Sequence, residues 1–75
     1  MEFPPQQQKL YDTLKDSGEV DINHIFVRLF ERDPPKNAQQ HLGPYIVKLN
    51  RRLASHGLVV RPGARLKRTY SLQKL

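Results

Sequence analysis

The sequence predicts a single α+β domain with three helices, a short strand between helices one and two, and a β-hairpin at the C-terminal end. Three observations indicate this class. The chain has 75 residues, which is the size of one small domain. Apolar residues recur at helical spacing in three separate segments. After Gly57, two segments rich in β-forming residues are separated by a Pro-Gly turn signal.

The first helix is predicted over residues 5–16, preceded by a flexible tail of residues 1–4. Pro5 suits the first turn, because proline has a helical φ and that turn does not need its missing N–H group. Gly18 supplies the left-handed conformation that commonly ends a helix. The face turned to the core carries three large side chains: Leu10, Tyr11 and Leu14.

The second helix has the clearest amphipathic pattern of the chain. Residues 19–21 are predicted as a short strand, and Asp21 as the N-cap, since its carboxylate can accept from free backbone N–H groups. Asp33-Pro34-Pro35 ends the segment, because each proline disfavours α geometry in the residue before it. The apolar positions are Ile22, Ile25, Phe26, Leu29 and Phe30.

The third helix is the longest and is predicted to end at Gly57. Pro44 interrupts it by removing one backbone hydrogen bond and crowding the carbonyl of Gln40. We therefore expect either a bend near Gly43 or a restart of the helix with Gly43 as the cap. The apolar stripe consists of Ala38, Leu42, Tyr45, Ile46, Leu49 and Leu53.

The hairpin is predicted with strands at residues 58–61 and 66–72, followed by a tail at residues 73–75. Pro62 and Gly63 suit the central positions of a type II turn. Alternation along the second strand directs Tyr70 and Leu72 to the core, which leaves Thr69 and Ser71 on the solvent face.

Charge is divided unevenly along the chain. All seven Asp and Glu residues lie before residue 36, whereas nine of the thirteen Lys and Arg residues lie in residues 36–75. With a net charge of +6, this segregation predicts an anionic partner that meets the C-terminal part of the protein. The alternative is a solvated basic surface without a partner.

The composition excludes several classes of protein. The chain has no cysteine, which removes disulfide scaffolds, zinc fingers and cysteine nucleophiles. No apolar run approaches the ~20 residues that cross a bilayer, and we expect a cytoplasmic protein, nucleoid-associated if prokaryotic or viral. His24, His41 and His56 lack ligand spacing, so we expect no metal and no cofactor. No nucleophile and base pair emerges either, and we expect neither an enzyme nor a small-molecule ligand.

The order of elements, with a basic third helix and a basic hairpin, resembles the winged helix-turn-helix family over residues 9–72. The segment Ile46-Val47-Lys48-Leu49-Asn50-Arg51-Arg52-Leu53 is similar to the recognition helix of response-regulator effector domains, where an Arg usually stands in place of Asn50. Residues 59–61 and 69–72 are similar to that family's hairpin, the wing. The resemblance implies that the third helix enters the major groove of DNA, while the wing contacts phosphates or the minor groove.

The predicted DNA-binding residues follow from helix geometry and from the placement of the cations. At about 100° per residue, one face of the third helix lies opposite the apolar stripe and offers groups that suit base edges. Val47 on this face suits a thymine methyl group or, equally, is an ordinary valine of the surface or of the edge of the core, because single exposed apolar residues are common. The predicted residues of this helix are Gln40, Gly43, Pro44, Val47, Lys48, Asn50, Arg51 and Arg52. Those of the wing are Arg61, Arg65, Lys67, Arg68 and Thr69, with Arg65 expected to enter a groove.

Three functions fit these features. The preferred one is sequence-specific binding of double-stranded DNA in transcription regulation. The second is an architectural, excisionase-like factor that bends DNA, and the third is a protein-interaction module that docks on an acidic partner or offers the hairpin as an edge strand. RNA is disfavoured because no aromatic stacking platform accompanies the cations. The sequence leaves open whether single copies, a homodimer or adjacent copies bind.

Overall fold

A computed structural model of the chain describes residues 3–15 and 17–75. The elements follow one another as α1 (Pro5–Leu14), β1 (Val20–Asp21), α2 (Ile22–Phe30), α3 (Ala38–Leu53), a 3-10 turn (Ala54–His56), β2 (Leu58–Pro62) and β3 (Thr69–Lys74). The three strands form one antiparallel sheet in the order β1-β3-β2. This small α+β arrangement is compatible with a winged-helix-like layout.

Local signals account for the ends of the helices. Oδ1 of Asp21 accepts from the N–H of Asn23 at 2.8 Å, which confirms the predicted cap of α2. That helix ends before the prolines, because Glu31 adopts a left-handed conformation with a φ of 55°. The helix α1 ends at Leu14, earlier than predicted, and Asp16 lies outside the described residues.

The core lies between the three helices and the inner face of the sheet. Each predicted apolar stripe contributes to it, and the half-buried Tyr11, Phe30, Tyr45 and Leu72 pack around its margin. Each fully buried Leu, Ile or Phe side chain stabilises the fold by about 1.5–3 kcal/mol. The buried apolar residues are Leu10, Leu14, Val20, Ile22, Ile25, Phe26, Leu29, Ala38, Leu42, Ile46, Leu49, Leu53, Val60 and Tyr70.

The helix α3 continues through Pro44, so the alternative in which the helix restarts at Gly43 is wrong. A proline inside a helix costs about 3 kcal/mol. Leu42, Ile46 and Leu49 are buried on either side of it, and each contributes about 1.5–3 kcal/mol to the core. Packing of the helix therefore outweighs the local cost of the proline.

The turn of the hairpin differs from the prediction. The loop between β2 and β3 spans residues 63–68, so Leu66 belongs to this loop and not to a strand. Gly63 lacks the positive φ that a type II turn requires at its second central position, whereas Arg68 has a φ of 57°. We call residues 63–68 the wing loop.

Residues of both predicted tails contact the rest of the fold. Phe3 packs against Tyr11, with ring centroids 5.2 Å apart. At the other end, Gln73 and Lys74 belong to β3 and pair with β2, and the N–H of Leu75 donates to the carbonyl of Gly57 at 2.8 Å. Within residues 3–15 and 17–75, no helix is long and apolar enough to cross a membrane.

Candidate nucleic-acid interface

The side of α3 that faces away from the core carries the residues predicted to read bases. Gln40, Pro44, Val47 and Arg51 are all exposed there. Val47 is 53% exposed, which decides against an edge-of-core residue and leaves a base contact or an ordinary surface valine. Gly43 is half-buried on the flank, with no heavy atom within 4 Å of the position a Cβ would take.

Three cations of α3 converge beside the start of α1. Lys48, Arg51 and Arg52 are exposed and line, with Gln7, an open groove of about 320 Å³. The side chain of Gln7 is buried, and its Oε1 has no hydrogen-bond partner within the described part of the chain. The three cations give the groove a positive charge, which suits an anionic group such as a phosphate.

Asn50 is half-buried and bonded within the fold, which corrects its prediction as a base-reading residue. Its Nδ2 donates to the carbonyl of Val60 at 3.2 Å, and its Oδ1 accepts from the N–H of Val60 at 2.7 Å. Both polar atoms of the amide are therefore used to attach α3 to β2.

The same contact covers the outer edge of the sheet. The N–H of Gly63 donates to the carbonyl of Thr69, so the backbone N–H and C=O groups at the odd-numbered positions of β2 point toward β3. The backbone groups at the even-numbered positions of β2 point away from the sheet. Of these outward positions, Val60 is bonded to Asn50 and Pro62 has no N–H group. Leu58 is thus the one position of β2 left to donate from this edge.

The cations of the hairpin are free of carboxylate partners within the described residues. Arg61, Arg65, Lys67 and Arg68 are all exposed. The one ion pair found in residues 3–15 and 17–75 joins Lys15 to Asp12 on α1, with Nζ 3.7 Å from Oδ1. Among the described residues the cations of the wing therefore form no ion pair, and the nearby carboxylate of Glu19 offsets only part of their charge.

Thr69 is buried, which corrects its prediction as a phosphate contact. It is 5% exposed, and its hydroxyl oxygen lies 2.9 Å from the carbonyl oxygen of Leu66 and 3.3 Å from Oε1 of Glu19. As the first residue of the central strand, it lies beneath the wing loop. Its hydroxyl therefore holds the loop and is not available to a ligand.

Glu19, which the sequence predicted as part of the short strand before α2, directly precedes that strand and organises the wing loop. Its Oε1 accepts from the backbone N–H groups of Arg65 at 3.0 Å and Leu66 at 2.9 Å. The Leu66 N–H is the main cause of a lowered pKa for this carboxyl group. The Arg65 N–H, the Thr69 hydroxyl and the Arg65 charge add to it, while desolvation opposes it.

Gly63 lies against the same carboxylate. A Cβ at this position would collide with the hydroxyl of Thr69 and the carboxylate of Glu19. The sequence predicted Gly63 in a type II turn, whereas in the structure its lack of a Cβ leaves room for the Thr69 hydroxyl and the Glu19 carboxylate. Glu19 reaches this position because it directly precedes β1, which pairs with Thr69 and Tyr70.

The remaining polar clusters show no preference for an anion. The groove between α1 and α2, about 520 Å³ in volume, carries charges of both signs, and its lining residues are Lys9, Asp12, Thr13, Val27, Arg28 and Glu31. Among the residues described, no group of three His, Asp or Glu side chains is placed to hold a metal ion.

Comparison of the chain with protein-family models, curated proteins and solved structures finds no match.

Proposed function

We propose that this protein is a sequence-specific double-stranded DNA-binding protein of the winged helix-turn-helix type that regulates transcription. The helix α3 enters the major groove, and the wing contacts phosphates or the minor groove. One observation carries the proposal: residues 36–75 contain no acid, and their exposed cations have no carboxylate partner among the described residues. Such a surface suits a polyanion.

The exposed face of α3 offers groups for each kind of base edge. Arg51 suits the O6 and N7 acceptors of guanine, and Gln40 suits the N6 and N7 atoms of adenine. Val47, exposed between them, suits a thymine methyl group. A mixture of charged, amide and apolar groups on one face favours base reading over attraction to phosphates alone.

The groove beside α1 supports a separate role for the flank of the helix. Lys48 and Arg52 line it with Gln7 on the flank of the helix, and Arg51 of the base-reading face lines it as well. In this position they bind phosphates and set the register of α3 on the duplex. The cations of the wing bind phosphates in the same way on a second segment of the DNA backbone.

The proposal is favoured over docking of a partner strand on the hairpin. Strand addition needs a row of free backbone groups along a sheet edge. On β2 the outward groups of Val60 are bonded to Asn50, and Pro62 has no N–H to give. The edge therefore offers too few donors for a stable added strand.

Selection of bound duplexes from a random-sequence pool tests the proposal. We expect one motif to be enriched, and binding to fall with salt at a log-log slope of about −4 to −6, from about five or six phosphate contacts at ~0.9 each. A slope shallower than about −2 would contradict the proposed surface. A pool that binds without enrichment of any motif would contradict sequence-specific reading.

A further inference from the structure

Leu66 lies in the middle of the wing loop, and 60% of its side chain is exposed. Its sequence neighbours Arg65, Lys67 and Arg68 are exposed cations. A single exposed apolar residue is common on protein surfaces and needs no explanation by itself. Leu66 differs because of the way in which its backbone is held.

Both polar groups of the Leu66 backbone are bonded to side chains, one of Glu19, which precedes β1, and one of Thr69 in β3. Its N–H donates to Glu19 at 2.9 Å, and its carbonyl oxygen lies 2.9 Å from the hydroxyl of Thr69. At the end of the loop, the carbonyl of Arg68 accepts from the N–H of Ile22 at 2.9 Å. The loop therefore projects the leucine from an ordered backbone, so that binding through it costs little further ordering.

We propose that Leu66 is a wedge that enters the minor groove of the bound duplex and partly unstacks one base step, so that the protein bends its DNA. This inference rests on the proposed function. Apolar side chains inserted between base steps kink DNA toward the major groove. Leucine has the size and polarity that such an insertion requires.

The charges around Leu66 favour DNA as its partner. Arg65, Lys67 and Arg68 lie within two residues of it, and the one acid of this region, Glu19, is bonded to the loop backbone. On a duplex, cations at these positions meet the phosphates that line a groove, which directs the side chain between them to the base edges. The cost of unstacking is offset by the additional contacts that a bent duplex makes.

The experiment measures bending and binding separately on one probe. Random-sequence duplexes of about 30 base pairs carry a donor dye at one end and an acceptor dye at the other. Energy transfer reports the distance between the ends, and anisotropy reports binding. The proteins compared are the wild type, Leu66→Ala, Leu66→Met and the control Leu75→Ala, which shortens another exposed leucine at the C-terminal end of the sheet.

We expect the wild type, Leu66→Met and Leu75→Ala to increase energy transfer at saturation. Leu66→Ala should bind with at most about a tenfold loss of affinity and produce no increase. If Leu66→Ala bends the duplex as the wild type does, or if the wild type binds without bending, the wedge is refuted while DNA binding stands. If the wild type binds no duplex, the proposed function fails and the wedge fails with it.

Discussion

Replacement of Asn50 by alanine tests whether one amide group attaches α3 to the sheet. The change removes two hydrogen bonds, of 3.2 and 2.7 Å, and leaves the N–H and the carbonyl of Val60 without protein partners. A hydrogen bond contributes about 0.5–1.5 kcal/mol net, so the loss of two in a partly buried site lowers the free energy of unfolding by about 1–3 kcal/mol. For a domain of this size, each kcal/mol lowers Tm by about 4–8 °C.

Urea and thermal denaturation, followed by circular dichroism, measure this effect. The matched control is Gln40→Ala, which removes an amide from the exposed face of the same helix and should change stability by no more than about 0.5 kcal/mol. The variant Asn50→Ala also uncovers the edge of β2, so we expect more self-association in sedimentation experiments without DNA. Equal stability of the two variants would refute the reasoning about this contact.

Three further predictions concern the wing and the reading face. The pKa of Glu19 lies below its ordinary value of 4.5, so its hydrogen bonds stabilise the fold above that value and are lost as the pH falls through the folded-state pKa. Glu19→Gln should therefore be less stable than the wild type at neutral pH and approach it in acid, and denaturation curves with a constant difference at every pH would contradict this. Gly63→Ala should lower the free energy of unfolding in urea by about 1–3 kcal/mol through the collision with the hydroxyl of the buried Thr69, which also displaces the carboxylate of Glu19, whereas Gly43→Ala, with open space around its Cβ, should not destabilise the protein. On a selected duplex and its single-base variants, Arg51→Ala should relax preference at one position by about 1–3 kcal/mol and Lys67→Ala should weaken all duplexes alike; a uniform loss from both would argue against base reading by α3.

The helices and their buried faces could be predicted because their signals are local. The spacing of Ile22, Ile25 and Phe26 defines a core face within two turns, and Asp21 makes its capping bond to a residue two positions away. The exposed face of α3 followed from the same periodicity. Val47 was the uncertain member of that face, and its exposure depended on what packs beside the helix.

The wing loop could not be predicted because its contacts join distant parts of the chain. The bond from Leu66 to Glu19 spans 47 residues, and that from Arg65 spans 46. No local pattern distinguishes Glu19 from the other acids of the N-terminal half. The expected Pro-Gly turn was wrong because these contacts, and the space available at Gly63, determine the course of the loop.

Residues on the flank of a helix are the hardest to assign, and Asn50 shows why. By helix geometry it lies between the buried and exposed faces of α3, where an amide can reach a ligand or a neighbouring strand. Which of the two the amide contacts depends on the position of β2, because an edge strand has unpaired backbone N–H and C=O groups that can bond to an amide. In this fold the amide of Asn50 attaches α3 to β2, although the same residue type also suits adenine.

The hairpin is attached to the rest of the fold by polar side chains at both edges of the sheet. Asn50 bonds β2 from α3, and Glu19 bonds the wing loop from the residue before β1. The position of the wing relative to α3 thus depends on two side chains that are bonded within the protein. A protein that must place a helix and a loop on two segments of one duplex gains affinity when their spacing is set in advance, because less ordering remains to be done on binding. Changes at Asn50 or Glu19 should therefore weaken DNA binding, although the amide of Asn50 and Oε1 of Glu19 are bonded within the protein.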